Sequence, residues 1–453
     1  MSWGARFAFT GHSRGFSEVS IGHPAGFLIF TAPPAGSVAR YGRITDPRVG
    51  RRSAPHGAQC DYHEPMRPLQ YVAVLLLALT AMLPSARLAR AAKTSHEYLV
   101  YFGTYTGKGS KGIYACRFRP STGKLTPVEL AAETVSPSFL AVDPAQRYLF
   151  AANEIGDYRN SKSGSVSSFS IDRHSGKLTA LNTVASRGAD PCHLTVDKSG
   201  SHVLVANYSG GSVAVLPVKA DGMLGEASDF VQHLGSSVDP ARQHEPHAHD
   251  VVLTPDNRFA VVADLGLDKL LVYRYDSEKG KLSPNDPPSG SVKPGSGPRH
   301  FVLHPNGRWA YVIDEIGNTI TAFDWDGDKG SLHELQTVTT LPKDFRGENS
   351  TAELVVGPKG RYLYGSNRGH DSIAVYAIDP AKGMLTLIED VPTLGKEPRN
   401  FALDPTGAYL FAANQNSNTV VVFRVNPSNG RLTPTGEKVE VVSPVCVTFV
   451  AAQ

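Results

Sequence analysis

One pattern of apolar and polar positions recurs down most of the chain. A short apolar run ends in Asn or Asp: Tyr148-Leu-Phe-Ala-Ala-Asn153, Val203-Leu-Val-Ala-Asn207, Phe259-Ala-Val-Val-Ala-Asp264, Trp309-Ala-Tyr-Val-Ile-Asp314, Tyr362-Leu-Tyr-Gly-Ser-Asn367 and Tyr409-Leu-Phe-Ala-Ala-Asn414, with Tyr98-Leu-Val-Tyr-Phe-Gly103 as a seventh copy. A polar turn follows, then a run alternating with period two, as in Ser165–Ile171, Thr319–Trp325, Ser372–Ile378 and Thr419–Val425. Period two with β-branched and aromatic residues predicts strands. Each unit closes on Gly-x-Leu, from Gly123-Lys-Leu125 to Gly430-Arg-Leu432.

Each unit opens about seven residues before a turn. The turns fall at positions 144, 198, 255, 305, 358 and 405, spaced 54, 57, 50, 53 and 47 residues apart. Repeats of roughly 50 residues with three or four strands each predict propeller blades. Openings lie near 137, 191, 248, 298, 351, 398 and 444, which makes seven. The last, Pro444–Val450, has no strands after it, and the strands from Tyr98 have no opening before them. We therefore expect an all-β, seven-bladed β-propeller over 96–453, closed by pairing the C-terminal strand with the N-terminal strands. Closure removes the open edges of a linear array.

The first 95 residues do not share the repeat. Met66–Leu83 carries a basic residue and then an uncharged run from Tyr71 to Leu83, and Ala89-Arg90-Ala91 offers a cleavage site. This is the pattern of a secretory signal peptide, 66–91, too short for a comfortable membrane span. It implies export to the periplasm or beyond, with no stable membrane span after cleavage. Residues 1–65 show no sustained periodicity, and we expect them to be unstructured or to precede the true start at Met66.

Composition narrows the function. The 453 residues carry 45 Lys and Arg against 42 Asp and Glu, a net charge of +3, which makes no electrostatic case for nucleic acid. The 43 Gly and 32 Pro suit a chain of many turns. The four cysteines form no Cys-x-x-Cys pair, and Cys116, Cys192 and Cys446 are expected to be buried small hydrophobes. No metal or other cofactor is expected, and a closed ring makes a monomer the expected state.

Candidate chemistry lies where the repeat breaks its own pattern. The residues after each opening are Ser138, Cys192, His249, Arg299, Ala352, Arg399 and Val445, then Phe139, His193, Asp250, His300, Glu353, Asn400 and Cys446. Those after the apolar runs include Glu154, Tyr208, Glu315 and Arg368. Arg299 and Arg399 occupy equivalent spots, and guanidinium forks suit carboxylate or phosphate. Glu315 follows Arg299 by one strand and one turn, close enough to meet it at the channel mouth. Gln243–Asp250 holds three histidines; His247 and His249, two apart, are expected on one strand face, a spacing that suits either metal ligation or an imidazole general base, of which the general base is the expectation. Asp324–Gly330 looks like a calcium loop, but its Gly is one place late and Leu335 stands where the bidentate Glu belongs, so it reads as a turn.

Together, Tyr101-Phe-Gly-Thr-Tyr-Thr106, Ala152-Asn-Glu154, Glu245-Pro-His-Ala-His249, Gly297-Pro-Arg-His300 and Glu397-Pro-Arg-Asn400 resemble the seven-bladed propeller lactonase family, which includes bacterial 6-phosphogluconolactonases and fungal carboxymuconate lactonizing enzymes. The resemblance covers about 98–450. It implies hydrolysis of a small-molecule sugar-acid lactone, with His247 or His249, Arg299, Glu315 and Arg399 as catalytic candidates. The ring adds Glu154, His193 and His300 as substrate-binding candidates. No Gly-x-Ser-x-Gly motif is evident in 96–453, so direct attack by water is expected, with a proton taken by a histidine or by Glu315. The export signal sits badly with a cytosolic phosphorylated substrate. Two other readings stay open: a non-enzymatic exported propeller binding a glycan or protein, and a muconate-type lactonizing isomerase.

Overall fold

The computed structural model describes residues 97–453 except Lys108. The segments 1–65 and 66–91 read above lie outside the described residues. Seven antiparallel sheets follow one another: blade 1 from 98–133 with 444–451, then 137–185, 191–232, 248–291, 298–339, 350–392 and 398–440 as blades 2 to 7. The ring closes as expected. The C-terminal strand Pro444–Ala451 pairs antiparallel with Tyr98–Thr104, from Tyr98 opposite Ala451 to Gly103 opposite Cys446, and forms the innermost strand of blade 1. No helix among the described residues is long and apolar enough to cross a membrane.

The second strand of each blade is apolar on both faces because each sheet is sandwiched between two others. Leu149 and Ala151 face blade 1, where they meet Leu99, Tyr101 and Ile113; Phe150 and Ala152 face blade 3, where they meet Val203 and Val205. The same division recurs around the ring as seven clusters, one per blade interface. The last joins Tyr409, Phe411 and Val422 of blade 7 to Val100, Phe102 and Phe118 of blade 1. Phe118 meets Phe411 edge to face at 4.9 Å. Each such buried aromatic contributes roughly 1.5–3 kcal/mol.

In blades 2, 3 and 7 a carboxylate holds the turn after the inner strand. Asp143 accepts the backbone N–H of Arg147 and of Tyr148 at 2.6 Å, and Asp404 accepts those of Ala408 and Tyr409 at 2.8 and 2.7 Å. The sequence Asp324–Gly330 is likewise a hairpin turn, with Asp326 accepting the N–H groups of Asp328 and Lys329. Cys116, Cys192 and Cys446 are buried and unpaired.

The residue ending each second strand anchors the connection to its blade. Asn207, Asn367 and Asn414 each donate through Nδ2 to a carbonyl there, of Ser186, Thr340 and Thr393. Blades 4 and 5 place an aspartate at this position. Asp264 has recruited a partner, His233, whose Nδ1 lies 2.6 Å away. Asp314 has not: Thr319 and Thr321 donate to Oδ2, but the buried Oδ1 has no partner. Burial pushes its pKa up to about 7. Between its ordinary value of 3.8 and about 7 the folded protein binds more protons than the unfolded chain, so stability falls as pH rises through that window. Asp314→Asn is expected to raise stability by roughly 1–3 kcal/mol at pH 8, and by less at pH 5. Thermal melts at the two pH values test this; an unchanged melting temperature at both would mean the carboxyl is already satisfied.

Candidate active site

The inner strands all begin with the same irregularity. The pairing ladder with the second strand skips Ser138, Cys192, His249, Arg299, Arg399 and Val445, each one residue after its blade's opening, and in blade 6 it skips Ala352 and Glu353. A bulge leaves an extra residue out of the ladder and re-aims it. Strict alternation would send one of two consecutive residues to the channel. Here Arg299 and His300 both reach one cavity, as do Ser138 and Phe139, and Arg399 and Asn400. Glu154, Cys192, His249 and Val445 complete its wall.

The cavity measures about 10 Å³. That is near the lower limit for one water molecule, so a sugar ring has to sit above it, at the mouth.

The second ring position also staples blade to blade: His193 Nδ1 lies 2.9 Å from Asp250 Oδ1, and Asp250 Oδ2 accepts the Phe301 N–H at 2.7 Å. His300 Nδ1 lies 2.8 Å from Glu353, whose other oxygen takes the Asn400 amide, and Asn400 in turn accepts the Val447 N–H at 2.9 Å. His300 thus both lines the cavity and belongs to this belt. His193 packs beside it, its ring 4.0 Å from that of Phe139.

Glu315 sits at the hub of the mouth. Arg299 Nε donates to its Oε2 at 2.9 Å, Arg368 Nη2 to the same oxygen at 2.8 Å, and Arg242 Nη2 to Oε1 at 2.6 Å. Burial opposes ionisation, but the charges of Arg368 and Arg299 and the bond from Arg242 hold the carboxyl well below the usual range. A carboxylate so held is a poor proton acceptor, which weighs against Glu315 as the base. Burial draws Arg368 down to about 10, so it remains charged near neutral pH.

Arg399 differs from these arginines. Its guanidinium lies over the Tyr105 ring, 5.4 Å from the centroid, and makes no side-chain hydrogen bond among the described residues. Burial opposes its charge, but Tyr105 and Glu154 raise its pKa, so it stays cationic. The Tyr105 hydroxyl donates to both Glu154 oxygens, at 2.8 and 2.9 Å.

The two histidines expected on one face are divided. His247 precedes the inner strand Ala248–Leu253. It stacks on Tyr208 at 4.5 Å, with Nδ1 3.1 Å from the Tyr208 carbonyl, and is not part of the cavity wall; it props the mouth. His249 lines the cavity, and its buried Nδ1 has no hydrogen-bond partner among the described residues. Burial, followed by the charges of Arg299, His300, Arg399 and Arg368, pushes its pKa well below the ordinary 6.5, so the ring is neutral. The Cys192 thiol donates to the His249 carbonyl at 3.3 Å, and burial raises its pKa, which argues against a thiolate nucleophile.

The sequence pattern places Arg368 at the repeat position of Glu154 and Glu315 without giving it a role, and it does not single out Arg242 or Tyr105. Arg242 lies in an insertion that no other blade shares. Among the described residues, no group of three or more His, Cys, Asp or Glu is placed to hold a metal ion.

Comparison with known proteins agrees with this architecture. Residues 99–449 match the family described as "Lactonase, 7-bladed beta-propeller". The 6-phosphogluconolactonase of Bacillus subtilis is 37% identical over 353 residues, 78% of this chain and 98% of that protein. The 6-phosphogluconolactonase of Formosa agariphila is 31% identical over 310 residues, 67% of this chain and 86% of that protein. Among solved structures, the periplasmic gluconolactonase of Pseudomonas aeruginosa superimposes with a TM-score of 0.75 at 38% identity, covering 79% of this chain and all of that one. The bulged ring, the closing strand and these matches have one reading: the chain belongs to the seven-bladed β-propeller lactonase family.

Proposed function

We propose that the protein hydrolyses a sugar-acid lactone by direct attack of water at the bulged ring. The carrying observation is the pairing, on one water-sized cavity, of an unpartnered neutral imidazole, His249, with an uncommitted guanidinium, Arg399. Arg299 supports it: its Nε and Nη1 bind Glu315 and the Ala352 carbonyl, leaving Nη2 for a ligand.

In this reading the lactone carbonyl oxygen lies against Arg399 and Arg299. The His249 imidazole takes a proton from the attacking water as the C–O bond forms, and the negative charge that develops on the carbonyl oxygen falls on the two guanidiniums. Collapse breaks the ring C–O bond, and the imidazolium returns the proton to the departing ring oxygen. One water is consumed, and one hydroxy acid is released. Glu315 fixes the arginines without exchanging a proton. Glu154 and His300 shape the wall. Export to the periplasm is part of the proposal, supported by the N-terminal signal pattern and by the location named for the Pseudomonas relative.

A panel of lactones, phosphorylated and unphosphorylated, tests the function. We expect turnover of at least one sugar lactone, lowered about 10²–10⁴-fold in His249→Gln. Because His249 titrates well below 6.5, kcat/KM should hold level from neutral pH down past that value and fall only in stronger acid. An acid limb at an ordinary histidine value would assign the base elsewhere. Silence across the panel from a folded protein would favour a non-enzymatic binding role.

A further inference from the structure

The relatives at 37% and 38% identity bear names that differ by one phosphate, so overall similarity does not choose between their substrates. A residue outside the shared ring does. We infer that Arg242, with the Tyr208 hydroxyl, is the binding site for an anionic group carried away from the lactone ring, a phosphate ester in particular, and so sets the preference for phosphorylated over neutral lactones. This rests on the lactonase reading above.

Three observations carry it. The first is position. Connections between outer and inner strands ring the mouth, and 233–247, between blades 3 and 4, is the longest. Its backbone is pinned: the Ser237 hydroxyl donates to Asp268, Gln243 donates through Nε2 to the Leu265 carbonyl at 2.8 Å, and the Gln243 N–H donates to Asp239 at 2.7 Å. Arg242 therefore projects from a fixed base.

The second is charge. Three guanidiniums surround the carboxylate of Glu315, and with Glu397 3.9 Å from Arg368 the cluster keeps an excess of one positive charge. Arg299 and Arg368 are 3% and 7% exposed and already neutralise the buried carboxylate, whereas the Arg242 side chain is 42% exposed. A third cation is more than Glu315 needs, and it lies on the side open to an incoming ligand.

The third is unused bonding capacity. Both of Arg242's hydrogen bonds, to Glu315 and to the Tyr208 oxygen at 3.3 Å, come from Nη2, which leaves the N–H groups of Nε and Nη1 without a partner among the described residues. Tyr208 accepts that bond, so its own proton is available, and burial raises its pKa and keeps it protonated. Stacking on His247 holds the Tyr208 ring in place. Unpaired guanidinium N–H groups beside a hydroxyl suit the oxygens of a phosphate monoester.

The test compares the phosphorylated and unphosphorylated forms of one gluconolactone, and measures binding of inorganic phosphate by calorimetry. Arg242→Gln should lower the phosphorylated-to-neutral ratio of kcat/KM at least tenfold, chiefly through KM for the phosphorylated form. It should also weaken phosphate binding at least tenfold. Arg242→Lys should recover part of both, and Tyr208→Phe should show a smaller loss of the same kind. Melting temperatures would confirm folding, since Glu315 keeps two guanidiniums. An equal loss on both lactones would make Arg242 a positioning residue for Glu315 and overturn the inference, as would an unchanged ratio or unchanged phosphate binding. If the wild-type protein hydrolyses neither lactone, the lactonase reading fails, and the phosphate measurement still decides whether Arg242 is an anion site.

Discussion

Replacing Arg399 by alanine is expected to lower kcat/KM on the preferred lactone about 10²–10³-fold, the usual cost of removing one preorganised donor to a developing oxyanion. Stability should change little. Among the described residues the guanidinium makes no side-chain hydrogen bond and leaves no buried partner behind; it overlies Tyr105. The loss should fall on kcat, because charge develops on the carbonyl oxygen in the transition state. A second consequence follows. Arg399 is one of the charges that depress His249, so its removal should move the acid limb of the pH profile upward, toward the ordinary histidine value. Steady-state kinetics from pH 4 to 8, with thermal melts alongside, check both effects. Wild-type kcat with an unmoved limb would remove Arg399 from the chemistry.

Glu315→Gln is expected to fail differently. The substitution keeps shape and hydrogen bonding at one oxygen but removes the charge that balances Arg299, Arg368 and Arg242. Breaking a buried ion pair from one side costs about 3–5 kcal/mol, because the remaining charges stay in a poorly solvated place. Stability should therefore fall by that order at neutral pH. The carboxyl's pKa lies well below the usual range in the folded protein and at an ordinary carboxylate value in the unfolded chain. Wild-type stability from this group is present above the unfolded value and is lost as pH falls through the folded one, so the gap between wild type and variant should narrow in acid. Activity should drop with loss of the arginine geometry. Unfolding curves at pH 7 and pH 3 test this, and a variant as stable as wild type but inactive would restore Glu315 as a proton acceptor.

Much of this was legible in the chain. The Gly-x-Leu markers and the apolar runs ending in Asn or Asp recur because each blade must solve the same packing problem. The two incomplete units at the ends announced the closure that the pairing of Gly103 with Cys446 completes. Even the ring was legible, since Cys192, His249, Arg299 and Arg399 fall at one repeat position where the scaffold does not need them.

The roles within the ring were not. Sequence spacing put His247 and His249 on one face, but the bulge and the start of the strand at Ala248 separate them: His247 becomes a prop under Tyr208, and His249 alone meets the cavity. Spacing suggested that Arg299 meets Glu315, and it does so at 2.9 Å. It gave no hint that Arg368, from the next blade, and Arg242, from an insertion, converge on the same carboxylate and silence it as a base. Repetition determined the fold because every blade buries both faces against like neighbours, a demand that local sequence must meet seven times. The site was decided only by closure, because groups 53 and 73 residues apart act on Glu315 through charge, and charge depends on distance and burial in the folded ring.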